Sequence, residues 1–171
     1  MKDIEAGMED TQGYYPKRFG IDFYHTYKDD LKLLAGTGMK SFRTSISWSR
    51  IYPNGDEDQP NEEGLRFYDH LIDEIIKNGM EPLITLSHYE MPLHLAVTYN
   101  GWYHRKTIDF FVKYAETIMQ RYKDKVKYWI VVNQINLIHH ESFNHLGIPS
   151  DRVENLMEAK YQGIHNECTA S

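Results

Sequence analysis

The stretch Ile108-Asp-Phe-Phe-Val-Lys-Tyr-Ala-Glu-Thr-Ile-Met-Gln-Arg-Tyr122, followed shortly by Lys127-Tyr-Trp-Ile-Val-Val-Asn133, decides the fold class. Ile108, Phe111, Val112, Ala115, Met119 and Tyr122 recur at steps of three and four, the period of an amphipathic helix. The run that follows is short, apolar and rich in β-branched and aromatic residues, as a buried strand is. The same alternation appears twice upstream. Tyr24, Tyr27, Leu31, Leu34 and Ala35 share a helix face, with Asp22 as cap and Gly36 and Gly38 as its end. A strand from Lys40 to about Trp48 follows. Next comes a helix opened by Asn61, Glu62 and Glu63 and closed by Gly79, with Leu65, Tyr68, Ile72, Ile75 and Ile76 as its buried stripe. Met80 to Ser87 is the second strand, with Pro82 near its start for want of a backbone donor. Ser150 or Asp151 caps a last helix bearing Val153, Leu156, Met157, Ile164 and Cys168.

Helices alternating with strands in this way imply right-handed crossovers and a parallel sheet, in either a doubly wound open sheet or part of a barrel. Residues 1–20 carry no periodicity and are expected to be irregular; the rest of the 171-residue chain forms one domain. A net charge of −6 without a Lys/Arg-rich stripe points away from nucleic acid. No apolar run nears the ~20 residues of a membrane helix, and Met1–Asp10 is polar and acidic, unlike a secretory leader. Cys168 is the single cysteine and has no partner for a disulfide, so the expected setting is reducing and cytoplasmic.

In both architectures the chemistry sits on loops after strand C-termini, and the unusual residues cluster there. Arg43 stands in the first strand, sharing a face with Ser45. A buried arginine requires a partner, either a structural ion pair or a functional carboxylate or phosphate. After the second strand comes Ser87-His88-Tyr89-Glu90-Met91-Pro92, where His88 can bond a substrate hydroxyl and Tyr89 can stack on a ligand. The plainer reading is a packed histidine beside a loop tyrosine. After the third strand stand Asn133, Gln134 and Asn136, three amides in four residues, which must face a ligand or cap loop backbone. His140-Glu141 and His145 have HExxxH spacing rather than HExxH, so no metal is implied and a polar loop is expected. No phosphate-cradling glycine loop is present in the sequence, and no cofactor is implied.

The segments Asp22-Phe-Tyr-His-Thr-Tyr-Lys28, Arg43-Thr-Ser-Ile-Ser-Trp-Ser-Arg50, Ser87-His-Tyr-Glu-Met-Pro92 and Tyr128-Trp-Ile-Val-Val-Asn-Gln-Ile-Asn136 resemble glycoside hydrolase family 1. His88-Tyr-Glu-Met-Pro92, Gly101-Trp102 and Arg105-Lys-Thr-Ile-Asp-Phe-Phe111 resemble its 6-phospho-β-glucosidase branch. The resemblance implies a partial TIM (β/α)8 barrel containing barrel strands two to four, and retaining hydrolysis of a phosphorylated β-glucoside without cofactor or metal. By position, His88, Asn133, Asn136 and Tyr89 would line the glycone site, and Arg43 would lie beside the nucleophile.

Three departures stand against the family pattern. Gln134 occupies the acid/base position, as glutamine does in the plant myrosinases. The nucleophile belongs to a later strand than this chain contains, so the chain is expected to be inactive alone. The family's first strand has no match before Asp22. A non-catalytic sugar-binding remnant and the product of a truncated gene are the rival readings. The open edges of such a sheet lead to a further expectation: self-association, or a longer protein from which this chain is excerpted.

Overall fold

The computed structural model describes residue 10, residues 12–16 and residues 20–171. Of the N-terminal stretch expected to be irregular, residues 1–9, 11 and 17–19 lie outside the described residues, and the remainder forms bends and turns. The elements in chain order are α1 (Phe23–Gly36), β1 (Ser41–Ser45), α2 (Trp48–Ile51), α3 (Glu62–Lys77), β2 (Glu81–Ser87), α4 (Leu93–Tyr99), α5 (Lys106–Tyr122), β3 (Tyr128–Val132), α6 (Ser142–Leu146) and α7 (Leu156–Ala170). Short 3-10 turns occupy Gly101–Tyr103 and Ser150–Arg152.

The three strands form one parallel sheet in the order β1-β2-β3. Phe42 pairs with Pro82, Thr44 with Ile84, and Ile84 with Trp129. Pro82 thus sits one residue into its strand, where a missing donor disrupts least. One face of the sheet is sealed by helices, with Ile46, Ile84 and Leu86 buried. On the other face Arg43 and Tyr128 are exposed and Leu83, Ile130 and Val132 are half-buried.

The sealed side is held by tyrosines that bury a ring and spend the hydroxyl on backbone. Tyr114 of α5 places its hydroxyl 2.7 Å from the Ile46 carbonyl and 2.9 Å from that of Leu86. These carbonyls belong to residues at the ends of two neighbouring strands. Tyr122 donates to the Leu65 carbonyl of α3 at 2.9 Å, and the Tyr68 hydroxyl accepts the Ser47 amide at 2.8 Å. Gly64 permits α3 to lie against the preceding turn, since a Cβ there would stand 2.3 Å from the Arg50 carbonyl oxygen.

Several expectations need correction. The first strand ends at Ser45, and Trp48 begins α2 instead. Its indole is inserted among Trp102, Phe111 and Tyr114. On α5 the buried face is Phe111, Tyr114, Ile118 and Tyr122, while Val112 and Met119 are exposed. Tyr114 can be buried because its hydroxyl finds carbonyls, and that turns the helix away from the stripe which apolarity alone suggests. On α3 Leu71 is buried and Ile76 is 43% exposed. On α1, Tyr27 and Leu31 are buried, but Tyr24 is exposed.

Gly36 belongs to α1, and Gly38 alone takes the left-handed backbone, at φ 90°. Asp22 precedes α1, but its side chain bonds the His25 ring at 2.6 Å rather than a backbone amide. The last helix begins at Leu156. Its cap is Asn155, whose side chain accepts the Glu158 amide at 3.1 Å. Its buried residues are Ala159, Lys160, Gly163, Asn166 and Glu167, and Met157 and Cys168 are exposed. The Asn61 cap holds, its side chain accepting the Glu63 amide at 3.1 Å, and Gly79 is left-handed at φ 75°.

Candidate active site

The polar side chains gather where the strands end. Arg43 of β1 donates through Nε to Thr85 Oγ1 of β2 at 3.1 Å and through Nη2 to Asn133 Oδ1, just past β3, at 2.6 Å. Asn133 Nδ2 donates to the Tyr89 hydroxyl at 3.1 Å, and that hydroxyl donates to Gln134 Oε1 at 2.5 Å. One chain of hydrogen bonds therefore runs from β1 across β2 to the loops after β2 and β3. Asn133 is buried, and its amide extends the ladder by donating to the Ser87 carbonyl at 2.9 Å.

The backbone is strained at the two residues this chain reaches last. Tyr89 has φ 77° and Gln134 φ 50°, in the left-handed region that costs a non-glycine residue about 1–3 kcal/mol. In each case the turn carries the side chain off its strand axis, and the two side chains meet. Such outliers persist where the surroundings over-determine them, and they cluster at functional sites. Glu90 turns back on its own loop, accepting the His88 amide at 2.7 Å.

Beside this chain lies a cavity of about 220 Å³ lined by Tyr89, Gln134, Leu137, His140, Glu141, Asn144 and His145. Glu141 caps α6, its carboxylate accepting the amides of Phe143 and Asn144 at 2.5 and 2.7 Å. The expected polar loop is thus partly a helix, and His145 is buried in it. The His145 ring meets Tyr89 edge to face, centroids 5.4 Å apart. Burial holds the His145 imidazole below its ordinary range, which favours the neutral ring. Behind it Glu167 is 1% exposed, and burial raises its carboxyl to about 8.

Of the residues singled out in the sequence, Arg43, Tyr89, Asn133 and Gln134 are joined. His88 stands beside Tyr89 with ring centroids 5.3 Å apart. Asn136 is exposed and lies outside the hydrogen-bonded chain. The Arg43 side chain is exposed on the open face and meets neutral oxygens; among the described residues it has no carboxylate partner. Thr85 and the His145–Glu167 pair were not anticipated. Thr85 shares the sheet face of Arg43, two residues beyond its register partner Leu83, a signal the sequence carries only once the pairing is known. Glu167 gives no local sign of burial.

Parallel strands with helices on one face and polar side chains at the strand C-termini are the arrangement of part of a (β/α)8 barrel. The chain belongs to glycosyl hydrolase family 1, whose family model matches residues 5–171. It is 54% identical over 152 residues to the aryl-phospho-β-D-glucosidase BglH of Bacillus subtilis, covering 89% of this chain and 32% of that protein. A 6-phospho-β-glucosidase of Clostridium longisporum is 53% identical, covering 91% and 33%. Among solved structures, the β-glucosidase of Thermotoga maritima in complex with castanospermine superposes with TM-score 0.76 at 30% identity, covering 87% of this chain and 33% of the other. A mutant of rice β-glucosidase Os3BGlu6 in a covalent complex with glucose gives TM-score 0.68 at 42% identity, covering 70% and 25%. The chain therefore spans about a third of the length of the curated relatives it matches. No helix among the described residues is long and apolar enough to cross a membrane.

Proposed function

We propose that this chain is the acid/base-bearing third of a glycosidase acting on phosphorylated β-glucosides, with Gln134 in the acid/base position. The observation that carries the reading is the chain from Arg43 through Asn133 and Tyr89 to Gln134, gathered at the strand ends of a family 1 protein. Relatives 44–54% identical over about nine-tenths of the chain are phospho-β-glucosidases by name, and they support the phosphorylated sugar as substrate. His88, Asn133, Tyr89 and Asn136 bond the sugar ring, and Arg43 stands on the open face toward the remaining strands.

Retaining hydrolysis needs two carboxyl groups about 5–5.5 Å apart, one acting as acid and then base, the other as nucleophile. Gln134 can hold a leaving oxygen through its amide N–H, since its carbonyl is taken by Tyr89. It cannot give up a proton, and in the second step it cannot take one from water. Such a site cleaves only bonds whose departing group needs little protonation. Glu90 cannot stand in for it while its carboxylate is turned onto the His88 amide.

The 171-residue chain, incubated with an aryl 6-phospho-β-glucoside bearing a good leaving group, is expected to release no chromophore above background. Saturable release would overturn the reading and make Glu90 the first residue to mutate. In a chimera completed by the remaining two-thirds of the Bacillus relative, Gln134→Glu should raise turnover of poor leaving groups by roughly 10²–10⁴. No gain would remove Gln134 from the acid/base position. The neutral Gln134 also favours a second reading, a sugar-binding remnant; glycoside binding by the chain with no gain from Gln134→Glu in the chimera would select it.

A further inference from the structure

His145 and Glu167 face each other inside the protein. His145 Nε2 lies 4.0 Å from Glu167 Oε2, with both side chains almost wholly buried. Neither of these two atoms has a hydrogen-bond partner. Buried polar atoms left unpaired cost free energy comparable to a lost hydrogen bond, so two of them pointing at one another across a small gap call for an explanation. His145 comes from α6, one wall of the cavity beside Gln134, and Glu167 comes from α7. The pair is therefore a junction between the cavity wall and the last helix.

An ion pair is a poor description of it. Burial without a countervailing cation favours neutral Glu167, and burial also favours neutral His145. A neutral imidazole has one N–H and one lone pair. The Leu137 backbone favours a proton on the ring, and since Nε2 has no hydrogen-bond partner, Nδ1 is the nitrogen we assign it to. Nε2 is then an acceptor facing a carboxyl that can supply one hydrogen.

We propose that a single proton held between Glu167 Oε2 and His145 Nε2 latches α6 onto α7, and that its loss to solvent frees the α6 wall of the cavity next to Tyr89 and Gln134. With the proton present, the carboxyl donates to the imidazole and a small closure of the gap completes the bond. With the proton gone, a carboxylate oxygen faces a nitrogen lone pair, two acceptors with no hydrogen between them, and they separate. The His145 ring packs edge to face on Tyr89, whose hydroxyl holds Gln134, so movement of α6 reaches the acid/base position through one ring contact.

The other groups around the junction do not substitute for the proton. Tyr89 offers its ring from the loop after β2. His140, before α6, and Lys160 of α7 both disfavour charge on His145. Lys160 Nζ itself donates to the His140 carbonyl at 2.5 Å. Glu141 spends its carboxylate on the α6 cap. Asn166, next to Glu167, donates to the carbonyls of Trp102 and Tyr103. The latch makes His145 and Glu167 positioning residues, and it does not depend on the glycosidase reading.

The test is nitrogen-15 NMR of the full chain between pH 6 and 9, with hydrogen exchange over residues 142–146. At neutral pH, His145 Nε2 should be the unprotonated nitrogen. As the pH rises, signals from Tyr89, Gln134 and residues 142–146 should move together with one midpoint. Exchange across 142–146 should quicken by roughly tenfold beyond the ordinary effect of hydroxide. Glu167→Gln supplies a permanent N–H donor, and it should abolish the transition and keep the low-pH signal positions. A proton on Nε2 at neutral pH, the absence of any concerted transition, or a transition that persists in E167Q would each overturn the latch. Should E167Q fail to fold, the His145 tautomer in the unaltered chain decides the matter.

Discussion

The helix-covered face of the sheet and the α6–α7 flank treat their buried hydroxyl and ionisable groups differently, although Trp48 Nε1 under the helices is also left without a partner. Both bury polar atoms close to strand ends. Under α5, the hydroxyls of Tyr114 and Tyr122 are matched to backbone carbonyls at 2.7–2.9 Å. Around α6, His145 Nε2 and Glu167 Oε2 are left facing each other at 4.0 Å. Tyrosine hydroxyls do not titrate near neutrality, and burial raises Tyr114 further, so that face is indifferent to pH. The flank beside Gln134 carries its polarity on groups that gain and lose protons in the working range. A rigid scaffold and an adjustable wall thus meet at Tyr89.

The comparison is broken most severely by Phe111→Ala. Phe111 is fully buried against Trp48, Trp102 and Tyr114, and its loss should cost about 3–5 kcal/mol, read by urea unfolding. A smaller effect, on the order of a few kcal/mol, should appear with pH. The Glu167 carboxyl rises from 4.5 to about 8 on folding, so between those values the unfolded chain has lost a proton that the folded chain keeps. Stability from this group is fully present below pH 4.5 and falls as the pH climbs to 8. His145 acts in the opposite sense: held below 6.5, it makes stability fall as pH drops under that value. Unfolding at pH 6 and pH 8.5 should show the decline, and E167Q should flatten it.

Tyr114→Phe leaves two strand-end carbonyls without a donor and should cost about 1–3 kcal/mol at any pH, which separates the two regions cleanly. Asn61→Ala removes the α3 cap for about 1 kcal/mol. Met119→Gln should change stability by less than about 0.5 kcal/mol, because Met119 is 40% exposed; a larger loss would restore the helix face that apolarity alone suggested.

That last case shows where sequence patterns reach their limit. Asn61 and Gly79 were legible because a cap and a left-handed turn are local chemistry, written within a few residues. The gathering of Arg43, Tyr89, Asn133 and Gln134 was legible as a place, since parallel strands bring their C-terminal ends to one edge. Their bonding order was not. Within this chain Arg43 bonds an amide and a hydroxyl, partners set by pairing register across two strands. The α5 face was misread for a related reason: a tyrosine counts as core only when acceptors await its hydroxyl, and here they come from residues 28 and 68 positions away.

The sequence by itself determined the alternation of helices and strands, the parallel sheet and the family. The alternation and the parallel sheet follow from residue type and local spacing and the family from the resemblance of short motifs, and all of these survive without any knowledge of contacts. Only the tertiary structure decided which way each helix turns, what Arg43 holds, the strained backbone at Tyr89 and Gln134, and the burial of Glu167 against His145. Each of these depends on atoms distant along the chain arriving at one point, where desolvation and hydrogen-bond geometry outweigh local preference.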